Sequence, residues 1–338
     1  MFHKLPDALL PWYAENHRQL PWRQTRDPYR IWISEIMLQQ TRVEAVKGYY
    51  ARFLQALPTV AALAEADDEA LLKLWEGLGY YSRVRNLKKS AQMIMQQHDG
   101  HFPQNYDAVR ALPGIGDYTA GAICSIAFGQ KTPAVDGNVL RVMARLQADA
   151  TPIDLPARKK EVQALLAAIY PEEAGDFTQA LMELGATVCG PNRAPDCACC
   201  PCRQICKGYE NGLAEALPVK STKKGRRVEE KTVFILSCNG EYALCKRPPQ
   251  GLLAGMWQFP EASGILELPQ ALRALELDVK DVYRQIERKH IFTHIEWKMR
   301  GFYLELSEKS EKFVWMTSDQ IRDTAALPTA YRQFWEEI

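Results

Sequence analysis

Two acidic residues have surroundings that favour chemistry over simple solvation. If residues 31–39 are helical, the neighbours of Glu35 at three and four residues' distance are Ile31, Trp32, Leu38 and Gln39. A carboxyl group among such neighbours has a raised pKa, as a general acid near pH 7 requires. Asp136 precedes an amphipathic segment and is therefore expected at a helix N-terminus, which favours the ionised form of its carboxyl group. The same position is also explained by Asp136 acting only as a helix cap. One protonated and one ionised carboxyl group is the pattern expected for cleaving a bond to a sugar.

Six of the nine cysteines fall within 18 residues, namely Cys189, Cys197, Cys199, Cys200, Cys202 and Cys206. Such a tight cluster indicates a metal site, whereas scattered even pairs would indicate a disulfide framework. Four thiolates suit zinc or an iron–sulfur cluster equally in charge and softness. A single short Cys-x₂-Cys pair flanked by lone cysteines favours the cluster modestly. The ligand set stays open on spacing alone, because Cys199 and Cys202 form a second such pair.

A glycine-containing turn, residues 112–116, lies between two predicted helices. Gly114 and Gly116 let the backbone approach another surface, and the N–H groups of the following helix then face outward as an anion site. A DNA phosphate would fit there independently of sequence. An ordinary tight turn explains the same residues.

The chain is expected to fold as two domains. Apolar residues at helical spacing fill residues 1–208, and Asp27-Pro28 marks a helix start. Residues 209–230 are basic and poor in apolar residues, which indicates a linker that is either a plain tether or close to phosphate. Residues 231–338 change to strand periodicity, with Asn239-Gly240 as a hairpin turn.

The charge balance limits the classes of protein. With 42 Lys+Arg against 41 Asp+Glu, the net charge of +1 gives no overall basic signal for nucleic acid. DNA binding would depend on local groups: the hairpin amides, the basic side chains of residues 83–89 and the linker. No apolar run approaches a membrane span and no signal-peptide pattern is present, so we expect a soluble cytoplasmic protein without a membrane partner.

Several strings together resemble the helix-hairpin-helix DNA glycosylases with an iron–sulfur cluster, and specifically the MutY-type adenine DNA glycosylases. The resemblance runs from about Leu20 to the C-terminus. It is carried by Leu20-Pro21-Trp22-Arg23, Ser34-Glu35-Ile36-Met37-Leu38-Gln39-Gln40-Thr41, Gly77-Leu78-Gly79-Tyr80-Tyr81, Leu112–Gly116 and Val135-Asp136-Gly137-Asn138.

The resemblance implies a mainly α helix-hairpin-helix glycosylase domain, with the hairpin at about 107–128 and an iron–sulfur loop at 189–206. A smaller α+β Nudix-like domain follows. The enzyme is expected to be a monomer, and to be associated with the nucleoid if the source is bacterial. Its partner would be double-stranded DNA containing A:8-oxoguanine or A:G mispairs, from which adenine is removed in base-excision repair. The implied [4Fe-4S] ligands are Cys189, Cys197, Cys200 and Cys206, with seven residues in the first gap where relatives commonly have six.

The resemblance also assigns the catalytic roles. Glu35 matches the acid that protonates the departing adenine, and Asp136 matches the carboxylate that stabilises the sugar cation. Tyr118 and Asn138 match residues that support these acids. Endonuclease III-like enzymes carry a Schiff-base lysine at position 118, and a phenol cannot form that imine, so a monofunctional glycosylase is expected.

The remaining matches concern DNA recognition. Gln40, Thr41 and Tyr80 match the wedge that fills the base stack when adenine is flipped out. Residues matching the adenine pocket are Leu20, Trp22, Arg23 and Glu183, although Trp22 also suits the core. Phe292-Thr293-His294 matches a Phe-Ser-His loop that recognises oxidised guanine, with threonine keeping the hydroxyl group.

Three rival functions fit the sequence less well. An endonuclease III-type lyase is disfavoured by Tyr118. A non-catalytic damage or redox sensor needs neither Glu35 nor Asp136. A Nudix hydrolase lacks its metal-binding box, since no Arg-Glu-x-x-Glu-Glu string follows Pro260.

Overall fold

Helices fill the first two thirds of the chain, and long strands begin only after them. The computed structural model describes residues 2–191, 194–222 and 225–338. The helices up to residue 210 are α1 Leu5–Asn16, α2 Pro28–Leu38, α3 Val43–Ala56, α4 Val60–Glu65, α5 Asp68–Leu74, α6 Ser82–Gln97, α7 Tyr106–Ala111, α8 Asp117–Phe128, α9 Gly137–Gln147, α10 Pro156–Ala167, α11 Ala174–Thr187 and α12 Lys207–Glu210.

The C-terminal elements alternate strands and helices. They are β1 Arg227–Cys238, β2 Glu241–Lys246, β3 Trp257–Gln258, β4 Glu261–Ser263, α13 Leu268–Leu275, β5 Val279–Ile291, β6 Ile295–Leu306, β7 Val314–Thr317, α14 Ser318–Asp323 and α15 Thr329–Trp335. Among the described residues, no helix has the length and apolar character needed to cross a membrane.

The strands form one mixed sheet in the order β3-β2-β1-β6-β5, with β4 paired to β1 and β7 to β2. Strands β1 and β6 run parallel, and the other pairs are antiparallel. Alternation along β1 sends Val233 and Ile235 to one apolar core and Phe234 and Leu236 to another. Both faces of the sheet are therefore buried, as expected for an α+β Nudix-like domain.

Contacts divide the chain into two compact units. The first contains Met1–Glu65 and Arg85–Thr222, and the second contains Ala66–Val84 and Lys223–Ile338. Segment 66–84 therefore packs with the C-terminal residues. Within this unit Lys73 donates to the carbonyl of Ala325 at 3.0 Å, and Glu76 accepts from the N–H of Leu327 at 3.0 Å. Such long-range contacts have no signature in the sequence.

Local predictions were mostly confirmed, with two corrections. The helical spacing of apolar residues in 1–208 indicated no break between residues 65 and 68, but α4 and α5 are separate because the Asp67 carboxylate caps a new helix at Glu69 and Ala70. The segment 209–230 is not wholly a linker, since β1 begins at Arg227. Lys223 and Lys224 of that basic stretch lie outside the described residues.

Candidate active site

Helix α2 carries Glu35 into the interior. Asp27 caps the helix by accepting the N–H of Tyr29 at 2.9 Å, and nearly every residue from Tyr29 to Met37 is buried. Glu35 is only 5% exposed, as its apolar neighbours predicted. Tyr118, in the first turn of α8, donates its hydroxyl to Glu35 Oε2 at 2.5 Å.

Burial decides the charge state of Glu35. Desolvation raises its pKa from 4.5 to about 7, the nearby charge of Asp136 also raises it, and the Tyr118 hydrogen bond and Arg23 lower it. A carboxyl group that titrates near neutral pH is suited to give and take a proton there.

Asp136 caps α9 as expected. Its Oδ1 accepts the N–H of Val139 at 2.8 Å, and Asn138 Nδ2 donates to its Oδ2 at 2.7 Å. These hydrogen bonds favour the carboxylate, but desolvation outweighs them and raises the pKa of Asp136. The helix N-terminus alone had predicted the opposite direction, because the sequence does not show how much protein surrounds the group.

Arg141 lies behind Asn138 and holds it. Its Nη2 donates to Asn138 Oδ1 at 2.8 Å and to the carbonyl of Gly185 at 2.7 Å, and its Nε donates to the carbonyl of Cys189 at 2.8 Å. The amide that supports Asp136 is thereby tied to helix α11 and to the start of the cysteine loop.

A cavity of about 550 Å³ brings ten of the predicted site residues of the first unit together. This volume lies in the range of small-molecule pockets. Its lining includes the predicted residues Leu20, Trp22, Arg23, Glu35, Gln40, Thr41, Gly116, Tyr118, Asp136 and Asn138. Trp22 also packs edge-on against Tyr50, with ring centroids 5.5 Å apart, so this residue both lines the cavity and belongs to the core.

Glu183 does not line the cavity, in contrast to the pocket role that the resemblance implied. It is fully buried and accepts from Arg18 Nη2 and Arg23 Nη2, each at 2.7 Å. Burial alone would raise its pKa, but the hydrogen bonds from Arg18 and Arg23 lower it to about 2. Glu183 therefore acts by fixing two arginines, which themselves line the cavity.

The glycine turn joins α7 and α8 as predicted, and its two glycines differ. Gly114 has φ +78°, and a Cβ there would lie 2.7 Å from the Cβ of Asn86. At Gly116 a Cβ would meet nothing within 4 Å. Both glycines are exposed, and Ser90 donates to the carbonyl of Pro113 at 2.8 Å. Gly114 is needed by the fold, whereas Gly116 leaves open space for an approaching surface.

The cysteine loop encloses a second, small cavity. Five thiols line it, those of Cys189, Cys197, Cys200, Cys202 and Cys206. Cys199 is exposed instead and donates to the carbonyl of Asp196. Arg145 Nη1 donates to Cys189 Sγ at 3.2 Å, which places a positive charge beside this sulfur, although burial still raises the pKa of the Cys189 thiol.

The sulfur-lined cavity fits an iron–sulfur cluster in donor chemistry, because soft cysteine sulfurs from one loop surround it. Within residues 2–191, 194–222 and 225–338, no three Asp, Glu, His or Cys side chains are placed to hold a single metal ion. Asn192 and Arg193 of this loop lie outside the described residues.

The second unit joins Tyr80, one of the three predicted wedge residues, to the predicted lesion loop. Phe292-Thr293-His294 forms the turn between β5 and β6, where Thr293 and His294 are exposed. The Phe292 ring packs edge-on against Trp297, with centroids 4.9 Å apart. The hydroxyl groups of Tyr80 and Thr293 are hydrogen-bonded to each other, a pairing that the sequence did not predict.

Comparisons with known proteins agree with this geometry. Residues 33–172 match the HhH-GPD superfamily base excision DNA repair proteins, and residues 232–337 match the NUDIX domain. The adenine DNA glycosylase of Arabidopsis thaliana is 37% identical over 90% of this chain, that of Homo sapiens 34% over 96%, and that of Buchnera aphidicola subsp. Baizongia pistaciae 32% over 90%. The chain spans 57%, 72% and 86% of these relatives, respectively.

The chain belongs to the adenine DNA glycosylases of base excision repair.

Solved structures with this fold are also glycosylases or related enzymes. A thermostable thymine-DNA glycosylase shares 31% identity with a TM-score of 0.57, covering 62% of this chain and 97% of its own. A trapped endonuclease III–DNA covalent intermediate shares 25% identity with a TM-score of 0.53, covering 63% and 99%.

Sequence reasoning missed several residues of the glycosylase cavity. They include Arg18, Ser34, Gln39, Lys159, Gln179 and Met182. Ser34 and Gln39 lie inside a string quoted for the resemblance, so their position was a usable signal. Lys159 and Gln179 come from α10 and α11, whose sequence patterns do not show which residues reach the cavity.

Proposed function

We propose that this chain hydrolyses the N-glycosidic bond of adenine mispaired with 8-oxoguanine or guanine in double-stranded DNA, acting as a monofunctional, monomeric glycosylase. The observation that carries the proposal is the pair of acids in one cavity. Glu35 is buried and accepts a hydrogen bond from the Tyr118 hydroxyl at 2.5 Å, and Asp136 accepts one from Asn138 Nδ2.

The two acids divide the reaction between them. Protonated Glu35 donates its proton to the adenine ring as the bond to the sugar breaks, which makes adenine a better leaving group. Asp136 stabilises the oxocarbenium-like sugar, through charge or through a covalent bond that the water later displaces. Glu35, which is ionised once it has protonated adenine, then accepts the proton of the attacking water and returns to its starting state. Asn138 and Arg141 keep Asp136 in place during both steps.

The absence of a lysine at position 118 supports monofunctional chemistry. A phenol forms no imine with the abasic sugar, so strand cleavage by elimination lacks its usual nucleophile. Lys159, however, also lines the cavity. The lyase is therefore the second candidate, with Lys159 as the amine to be tested.

Preference for 8-oxoguanine is assigned to the second unit. Thr293 is exposed at the tip of the β5–β6 hairpin and bonded to Tyr80. Its hydroxyl is available to an altered guanine edge, where a hydrogen bond to the extra groups of the lesion would discriminate it from guanine. Thr293→Val should lower the excision rate on A:8-oxoguanine relative to the rate on A:G. Thr293→Ser, which keeps the hydroxyl group, should keep the wild-type ratio.

We assign Cys189, Cys197, Cys200 and Cys206 as the cluster ligands. When bound, a [4Fe-4S] cluster would crosslink the loop that follows α11. Through the carbonyl of Cys189, that loop also supports Arg141. Purified protein should then be brown and contain about four irons per chain.

The deciding experiment is a single-turnover assay on duplex with one A:8-oxoguanine mispair, analysed with and without alkali. We expect strand breaks only after alkali, and Glu35→Gln should slow excision at least about a hundredfold while still binding the duplex. Breakage without alkali, together with borohydride trapping that disappears in Lys159→Gln, would establish the lyase instead. Normal turnover by Glu35→Gln would refute the acid.

A further inference from the structure

Arg83 is a basic residue that the charge pattern placed among the DNA-facing groups, but its guanidinium turns inward. The residue is only 8% exposed. Its Nη2 donates to the carbonyl of Leu78 at 2.9 Å and to that of Gly79 at 3.1 Å. One charged group thus holds two consecutive carbonyls of the turn that presents Tyr80.

Two aromatic rings enclose the same guanidinium. Its carbon lies 5.3 Å from the centroid of Trp75 and 5.7 Å from that of Tyr80. Trp75 is fully buried and donates its indole N–H to the carbonyl of Gly79 at 3.1 Å. Tyr80 is 46% exposed. Arg83 therefore connects a fixed ring inside the unit to an exposed ring at its surface.

The turn needs such support because its backbone is strained. Gly77 and Gly79 have φ of +94° and +69°, which glycine adopts readily. Tyr80 has φ +46°, which is unfavourable for a bulky side chain. Residues persist in such conformations only where the surrounding contacts determine them, and they occur often at functional sites.

We propose that Arg83 is a positioning residue for Tyr80, holding the 77–81 turn so that the exposed ring is ready to enter the base stack. This inference rests on the proposed function, in which Tyr80 is the wedge. Arg83 binds no phosphate in this role, because its charge is used on the two carbonyls and the two rings. Lysine could not replace it, since an ammonium group lacks the planar fork and does not stack between rings.

The experiment measures the wedge directly. Duplex carries 2-aminopurine beside 8-oxoguanine, so that its fluorescence rises when the stack is opened. Complexes are formed with proteins that also carry Glu35→Gln, which keeps the substrate intact. Single-turnover excision rates come from the same variants with Glu35 present. The variants are Arg83→Met, Arg83→Lys, Tyr80→Ala and the double variant Tyr80→Ala/Arg83→Met.

Lys89→Met serves as the charge control, because Lys89 is exposed on the same helix α6. It reports what the loss of one positive charge costs in DNA affinity alone. We expect Arg83→Met and Arg83→Lys to lose most of the fluorescence rise and to excise roughly tenfold more slowly, as for loss of a charge-assisted hydrogen bond. Lys89→Met should keep the fluorescence rise once the duplex is saturated.

Epistasis separates this inference from the proposed function. If Arg83 acts through Tyr80, the double variant should be no slower than Tyr80→Ala alone. A defective Tyr80→Ala with a normal Arg83→Met would overturn the inference and leave the wedge intact. A normal Tyr80→Ala would overturn the wedge and the inference together. If Arg83→Met does not fold, an Arg83→Lys variant with unchanged thermal midpoint and normal fluorescence also overturns the inference.

Discussion

Removing the Tyr118 hydroxyl should move the pH dependence of excision upward. The Tyr118 hydroxyl donates to Glu35 and thereby favours its charged form, so Tyr118→Phe should raise the pKa of Glu35 above about 7. A hydrogen bond to a charged group contributes about 1.5–3 kcal/mol, and 1.36 kcal/mol corresponds to one pKa unit, so the rise should be about one to two. Protonated Glu35 is the active form. The rate should therefore fall tenfold per pH unit above the pKa of Glu35, and a separate fall at low pH should mark the protonation of Asp136.

The assay is single-turnover excision of adenine between pH 5.5 and 9.5. The high-pH limb of the rate profile is fitted for the pH at which the rate begins to fall. Tyr118→Phe should move that point upward by at least about one pH unit, whatever happens to the maximal rate. Tyr29→Phe is the matched control. It also removes a buried tyrosine hydroxyl, but one that donates to the carbonyl of Leu57 and not to Glu35. A limb that stays in place, or moves to lower pH, would contradict the role assigned to this hydrogen bond.

Three further predictions concern stability and DNA binding. Glu35 should lower the stability of the wild-type protein progressively as pH rises from 4.5 towards 7, because this carboxyl group ionises in the unfolded chain while burial keeps it protonated in the folded one; Glu35→Gln removes that loss and should gain up to about 3 kcal/mol at pH 8 in denaturant unfolding, with little gain at pH 4. Gly114→Ala should lower the thermal midpoint, whereas Gly116→Ala should fold normally and weaken duplex binding; equal midpoints for both would refute the distinction. Glu183→Gln leaves the buried Arg23 without its countercharge and should cost about 3 kcal/mol of unfolding free energy at pH 7, and an unchanged urea midpoint would show that this ion pair contributes nothing.

Features that depend on neighbouring residues were predictable from the sequence. The cap at Asp27, the glycine turn between α7 and α8 and the Asn239-Gly240 hairpin all appear where expected. Each is set by backbone preferences and hydrogen bonds within a few residues. The break before α5 was missed because a short amphipathic pattern runs through it, and the cap at Asp67 outweighs that pattern.

The sequence predicted which types of residue form the site, but it predicted much less well which residues each of them contacts. Glu35 was expected to be buried, and it is. Glu183 was expected in the cavity wall, but its carboxylate faces Arg18 and Arg23 instead. A sequence identifies the acid, whereas the direction that the acid faces depends on what packs around it.

By itself, the sequence determined the order of the two domains, the acids, the hairpin and the cysteine loop, because these are local patterns of residue type and spacing. Only the tertiary structure decided that Tyr118 reaches Glu35 across 83 residues, that burial raises the pKa of Asp136, and that segment 66–84 packs with the C-terminal unit. Hydrogen bonds and desolvation act over a few ångströms in space. Residues far apart along the chain come that close only when the fold is formed.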